Sequence, residues 1–262
     1  MKKYSLLLLS ILLVLIFLSW TIIGDKWVSK KQNGYTIFYS SKDKKKIKEY
    51  KIYFEKGKRS VTDFFQNSYN SDFDIYIHPT RESLDSTWQK DWNMPDFKSQ
   101  CWMVASGVAN KLDIISPKMW DSIACEHIYS NTIKTQNLIT HELVHVFHGQ
   151  QNVSPDFSDV TEIDWFVEGL ATYVSGQCDS TRIVEVQKAL MENKIPKTLN
   201  KFWTGNLRYG LSGTVVMYLD NKYGRERLTS LLKYNNIKEM LNSLETTESE
   251  IMIGWKKYIK EF

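Results

Sequence analysis

Hydrophobic and polar positions alternate in the first half of the chain and give way to a helical period in the second. Tyr35-Thr-Ile-Phe-Tyr-Ser40 alternates and is rich in β-formers, which predicts a strand, and residues 42–65 follow with helical spacing. Phe73-Asp-Ile-Tyr-Ile-His78 predicts a second strand, ended by Pro79 because proline brings no N–H to a ladder. A short helix over 81–92 leads into Cys101-Trp-Met-Val-Ala-Ser-Gly-Val-Ala109, an extended stretch of small residues, and Leu112-Asp-Ile-Ile-Ser116 predicts a further strand. Beyond residue 120 alternation disappears, and helices are predicted over 131–149, 162–176, 181–192, 211–223, 225–233 and 247–260. The pattern defines an α+β chain, a mixed sheet with helices followed by a helical lobe. The turn-forming Gln150-Gln-Asn-Val-Ser-Pro155 divides residues 27–150 from residues 151–262.

One segment stands outside this pattern. Lys2 and Lys3 precede an uncharged apolar run from Leu6 to Ile23, the signature of an export signal over residues 1–26. No small-x-small site follows Ser19-Trp20-Thr21, so an uncleaved membrane anchor is expected ahead of a cleaved signal peptide. Either outcome leaves the bulk of the chain outside the cytoplasmic membrane, anchored to it or secreted. Cys101, Cys125 and Cys178 then meet oxidising conditions with one thiol left over, and the pairing is open.

Composition narrows the classes. Hydrophobic residues at 42%, aromatics at 13% and only five prolines describe a folded chain rather than a disordered one. The net charge of +4 comes from lysines spread along the sequence. Their densest cluster, Lys42 to Lys48, reads as a solvated helix face, because no nucleic-acid motif accompanies it.

The candidate chemistry lies in His141-Glu142-Leu-Val-His145, an H-E-x-x-H motif on a predicted helix. Residues four apart share one helix face, so both imidazoles reach a single Zn²⁺, while Glu142, about 100° round, reaches a water beside it. The flanking Leu138, Ile139, Leu143, Val144, Val146 and Phe147 carry no charge, as expected of a buried helix. A hydrolytic zinc site takes three protein ligands and keeps one position open. No third histidine follows at metzincin spacing, but Asp164-Trp-Phe-Val-Glu168-Gly-Leu-Ala-Thr-Tyr-Val-Ser-Gly176 offers two carboxylates one turn apart, Glu168 and Asp164. Glu168 has the longer reach. Thr172, four residues further, is spaced to orient a ligand histidine. His148 would point past the metal and reads as a surface or helix-end residue; His78 and His127 belong to no motif and read as structural or exposed.

These segments, with Tyr209-Gly-Leu-Ser-Gly-Thr-Val-Val-Met-Tyr-Leu-Asp-Asn-Lys-Tyr-Gly224, resemble the gluzincin metallopeptidases, most closely the peptidase MA-like family. The resemblance spans roughly residues 35–235 and is looser before 130. It implies a zincin-like fold with the active-site helix between two lobes, a zinc ion on His141, His145 and Glu168, and Glu142 as general base. It implies an oxyanion donor from the helical lobe, Tyr209 ahead of Tyr173. Asp164 stays open as an alternative ligand, a group behind the ligands or on a substrate amine, or a solvated helix-start residue. It also implies a peptide or protein substrate added as a strand along Val104, Ala105, Ser106, Gly107, Val108 and Ala109. The expected activity is endopeptidase, since no Gly-x-Met-Glu-Asn element for a free amine is present. The alternatives are an aminopeptidase of the same fold and a non-catalytic extracytoplasmic binding module that kept it.

Overall fold

The alternating segments become the centre of a five-stranded mixed sheet in a computed structural model that describes residues 27–262. The apolar run predicted to be an anchor lies outside the described residues. The strands are β1 (Trp27–Gln32), β2 (Tyr35–Ser40), β3 (Phe73–His78), β4 (Ala105–Val108) and β5 (Lys111–Ile115), in spatial order β1-β2-β3-β5-β4. β2, β3 and β5 run parallel, while β1 and β4 pair antiparallel at the two edges.

Strand periodicity decides which face is buried. Tyr35, Ile37, Phe73, Ile75, Ile77, Leu112 and Ile114 are all at most 2% exposed and form the apolar face. Helix α1 (Ile47–Phe65) buries Ile47, Tyr50, Phe54, Gly57, Val61 and Phe65 at spacings of one turn. It packs on α4 (Thr132–Gly149), which is buried along nearly all of its length from Thr135 onward. The opposite face of the sheet receives Leu84 and Trp88 from α2 (Arg81–Asp91), a helix capped by Thr80, whose hydroxyl accepts from the Ser83 N–H at 3.2 Å. His78 is sealed there between Ser83 Oγ at 3.0 Å and Asp113 Oδ1 at 2.9 Å, a structural role as the sequence implies.

After the short α3 (Trp120–Ile123) and α4, the remaining described helices are α5 (Asp164–Val174), α6 (Ser180–Met191), α7 (Arg208–Tyr223), α8 (Arg225–Ser230), α9 (Ile237–Ser243) and α10 (Glu248–Glu261). α5 and α7 pack closely because Gly169 has no side chain: a Cβ there would lie 2.5 Å from the Ser212 carbonyl oxygen. The fold class is therefore α+β, as the pattern predicts. Among the described residues no helix is long and apolar enough to cross a membrane.

The differences from expectation have local causes. β1 leaves no signal in the sequence because its first five residues are exposed, so its two faces carry no apolar alternation. α9 buries Met240 alone over seven residues, too little for a periodic signal. α1 starts at Ile47 rather than 42, because Ser41–Asp43 forms a 3-10 turn that inserts Asp43 into the core. That carboxylate accepts from Ser116 Oγ at 2.6 Å and pairs with Lys118 Nζ at 2.9 Å.

The open cysteine question is answered by a disulfide between Cys101 and Cys125, with Cα atoms 5.4 Å apart. It ties the segment entering β4 to the segment that precedes α4. Cys178 keeps its thiol, and burial pushes its pKa up to about 12, so it is not a nucleophile at neutral pH.

Candidate metal centre

α4 and α5 bring the two halves of the motif together. His141 and His145 project one turn apart from α4, with ring centroids 4.7 Å apart, and Glu168 projects toward them from the middle of α5. The two Nε2 atoms are 3.0 Å apart, and Glu168 Oε2 lies 3.3 Å from that of His141 and 3.6 Å from that of His145. Tetrahedral zinc with bonds of about 2.0–2.1 Å sets its ligand atoms roughly 3.3 Å apart, so the residues fit that ion. Two imidazole nitrogens and one carboxylate oxygen are also its usual donors. Among the described residues this is the one such cluster of histidine, cysteine and carboxylate groups.

The electrostatics agree with the grouping. Burial would raise the pKa of Glu168, but His145 and His141 outweigh it and hold the carboxyl far below the ordinary range. Burial would lower the pKa of His145, and Glu168 and Glu142 reverse that. Glu142 is 8% exposed, and burial pushes its pKa up against the pull of His141 and His145. A raised carboxyl pKa is what a proton-accepting base near neutrality needs.

The other predicted residues are distributed unevenly. Asp164, at the exposed start of α5, lies outside the ligand group; burial of its carboxyl and the nearby Glu168 raise its pKa. Thr172 Oγ1 is buried without a hydrogen-bond partner, so it orients neither ring, and the Nδ1 atoms of His141 and His145 have no protein acceptor. Tyr209 lies beside the site, its ring centroid 6.5 Å from that of His141. Tyr173 is spent elsewhere: its hydroxyl donates to Asp220 Oδ2 at 2.9 Å, and Arg225 holds the same carboxylate at 2.6 Å. His148 is not a surface residue. It is wholly buried, pushed down to about 3 by that burial, and its Nε2–H donates to the Leu232 carbonyl at 3.1 Å.

The stretch predicted to receive substrate divides into three parts. Val104 is buried, its carbonyl accepting from Ile115 N at 2.8 Å, and Ala109 N donates to the Pro155 carbonyl at 3.0 Å, so both ends are used internally. Ala105, Ser106, Gly107 and Val108 form β4, the edge strand beside the metal-ligand helix. Gly107 owes its size to that helix: its N–H faces the Glu142 carboxylate, and a Cβ would collide with the Glu142 main-chain oxygen and lie 3.1 Å from His145 Cβ. Gly107→Ala is therefore expected to push β4 off α4, costing about 1–3 kcal/mol of stability and on the order of 100-fold in turnover through misplacement of Glu142. Denaturant unfolding and initial cleavage rates measured on the same preparation check both effects.

Sequence reading missed a set of aromatic and basic residues around Tyr209. Trp203 stacks edge-on to it with centroids 4.9 Å apart, and Arg208 and Arg182 lie over its ring. Trp102 reaches the same place from the disulfide-bonded segment, and His127 holds it by bonding its carbonyl at 2.9 Å. The only signal was adjacency, since Trp102 follows Cys101 and Arg208 precedes Tyr209.

A family model described as collagenase, a zinc metallopeptidase family, matches residues 120–246, the span from α3 through α9 that contains both histidines and Glu168. The match supports a zinc metallopeptidase, and a peptidase acts on peptide or protein substrates. No curated protein matches the chain.

Proposed function

We propose that this chain is a zinc-dependent endopeptidase of the gluzincin type, with a zincin-like fold, acting outside the cytoplasmic membrane. The observation that carries the reading is the triangle of His141, His145 and Glu168 ligand atoms beside an edge strand, with buried Glu142 close enough to feel all three. His141, His145 and Glu168 would hold a zinc ion, which would supply Lewis acidity to a water and to a peptide carbonyl. Glu142 accepts the proton of that water on its carboxylate and passes it to the departing amine. The Tyr209 hydroxyl donates to the oxygen that gains negative charge. β4 holds the substrate extended through main-chain hydrogen bonds, which asks little of side chains. The N-terminal Lys2-Lys3 and apolar run support an extracytoplasmic location, and the Cys101–Cys125 disulfide suits an oxidising compartment.

Full-length protein purified in detergent tests the proposal. The expected result is about one zinc per chain and internal fragmentation of casein that stops on chelation and returns with added zinc. Protein that binds no zinc, or that cleaves equally well in chelator, overturns it.

A further inference from the structure

Beside the ligand atoms the C-terminal half presents a cation with no acid of its own. Arg208 opens α7, and its guanidinium carbon lies 5.0 Å from the ring centroid of Trp102, 5.0 Å from that of Tyr209 and 5.6 Å from that of Trp203. A second guanidinium, that of Arg182, lies 4.8 Å from the same Tyr209 centroid, while its Nη1 donates to the Gln177 carbonyl at 2.6 Å. Among the described residues Arg225, on Asp220, is the sole arginine in an ion pair.

Aromatic faces hold a guanidinium by cation–π attraction, and the Tyr209 hydroxyl oxygen accepts one Arg208 N–H, but no carboxylate among the described residues pairs with it. A planar fork pinned in this way, half-buried and without a counter-ion, matches a carboxylate, which takes two parallel N–H bonds from it. Its place gives the carboxylate a source. Tyr209 neighbours both Arg208 and His141, with 6.5 Å from its centroid to that of His141, so the guanidinium is one shared ring away from the reacting centre. Extended peptide advances about 3.3 Å per residue, so a group one to three residues from the cleaved bond spans that interval. Trp102 arrives from the opposite half of the chain, so rings from both halves meet at the guanidinium.

We propose that Arg208 binds a carboxylate of the substrate and so selects peptides with a negative charge within about three residues of the cleaved bond. The inference rests on the peptidase reading for its substrate, and the carboxylate is either an acidic side chain or the free C-terminus.

Binding measured without turnover separates the two readings. Full-length chain carrying Glu142→Gln is loaded with zinc and titrated, by fluorescence anisotropy, with dye-labelled alanine-rich peptides. In one series a single Gln is stepped along an amidated peptide, in the second Glu replaces Gln, and in the third the Gln peptides keep a free C-terminus. The expected result is binding on the order of tenfold tighter for the side-chain or the terminal carboxylate, identifying which is read. Adding Arg208→Gln is expected to erase that preference, and Arg208→Lys to keep only part of it, since an ammonium has charge without the fork. Equal affinity of all three series, including no binding by any, overturns the proposal, as does a preference that survives Arg208→Gln in protein with an unchanged melting curve. If Arg208→Gln does not fold, an undiminished preference in Arg208→Lys overturns it instead. Arg208-dependent binding alongside failure of the wild type to cut casein would remove the peptidase reading and leave the carboxylate site standing.

Discussion

Glu142→Gln is expected to retain the full zinc content of the wild type while losing casein cleavage by a factor on the order of 10²–10⁴, the usual contribution of a positioned base. The amide has almost the same size and still accepts from the Gly107 N–H, so neither β4 nor α4 has reason to move. It takes up no proton near neutral pH. Metal analysis and cleavage rates on one preparation distinguish this from a folding defect, because misfolded protein would lose the metal as well. Equal rates for variant and wild type would remove Glu142 from the chemistry.

Exchanging Glu168 for Ala is expected to cost more. It deletes one of three ligand atoms and leaves two imidazole nitrogens 3.0 Å apart without the carboxylate that favours positive charge between them. Zinc affinity should fall by more than the roughly 10–100-fold typical of changing a group that merely supports a ligand, so protein dialysed at low zinc loses its metal. Asp164→Ala, one turn earlier on α5, should keep the ion, since its carboxylate lies outside the ligand group. Competition with a zinc-sensitive dye gives both affinities. A zinc site that survives Glu168→Ala and disappears with Asp164→Ala would reverse the assignment.

What was legible in the sequence follows from how local each signal is. The spacing of His141 and His145 is a property of one helix, and the alternation in β2 and β3 is a property of one strand buried on one face. Both survive without knowledge of the fold. Glu168 was legible only as one of two acids, because choosing between them requires the crossing of α4 and α5. Tyr173 and Thr172 show the limit: each is spaced plausibly after Glu168, yet one hydroxyl bonds Asp220 and the other bonds nothing. Arg208 was invisible for a related reason. Its significance comes from Trp102, more than a hundred residues earlier, and no periodicity within α7 records that neighbour.

The division of labour between the two halves of the chain has a consequence for reading this motif. Glu142, the imidazoles and the strand beside them all come from before residue 150, whereas Glu168, Tyr209 and Arg208 come from after it. A shift of the later half would open the carboxylate corner and carry off Tyr209, with Glu142 and Gly107 undisturbed. On the proposed reading reactivity needs residues from both sides of residue 150, and an N-terminal fragment bearing an intact His-Glu-Leu-Val-His is expected to be inert.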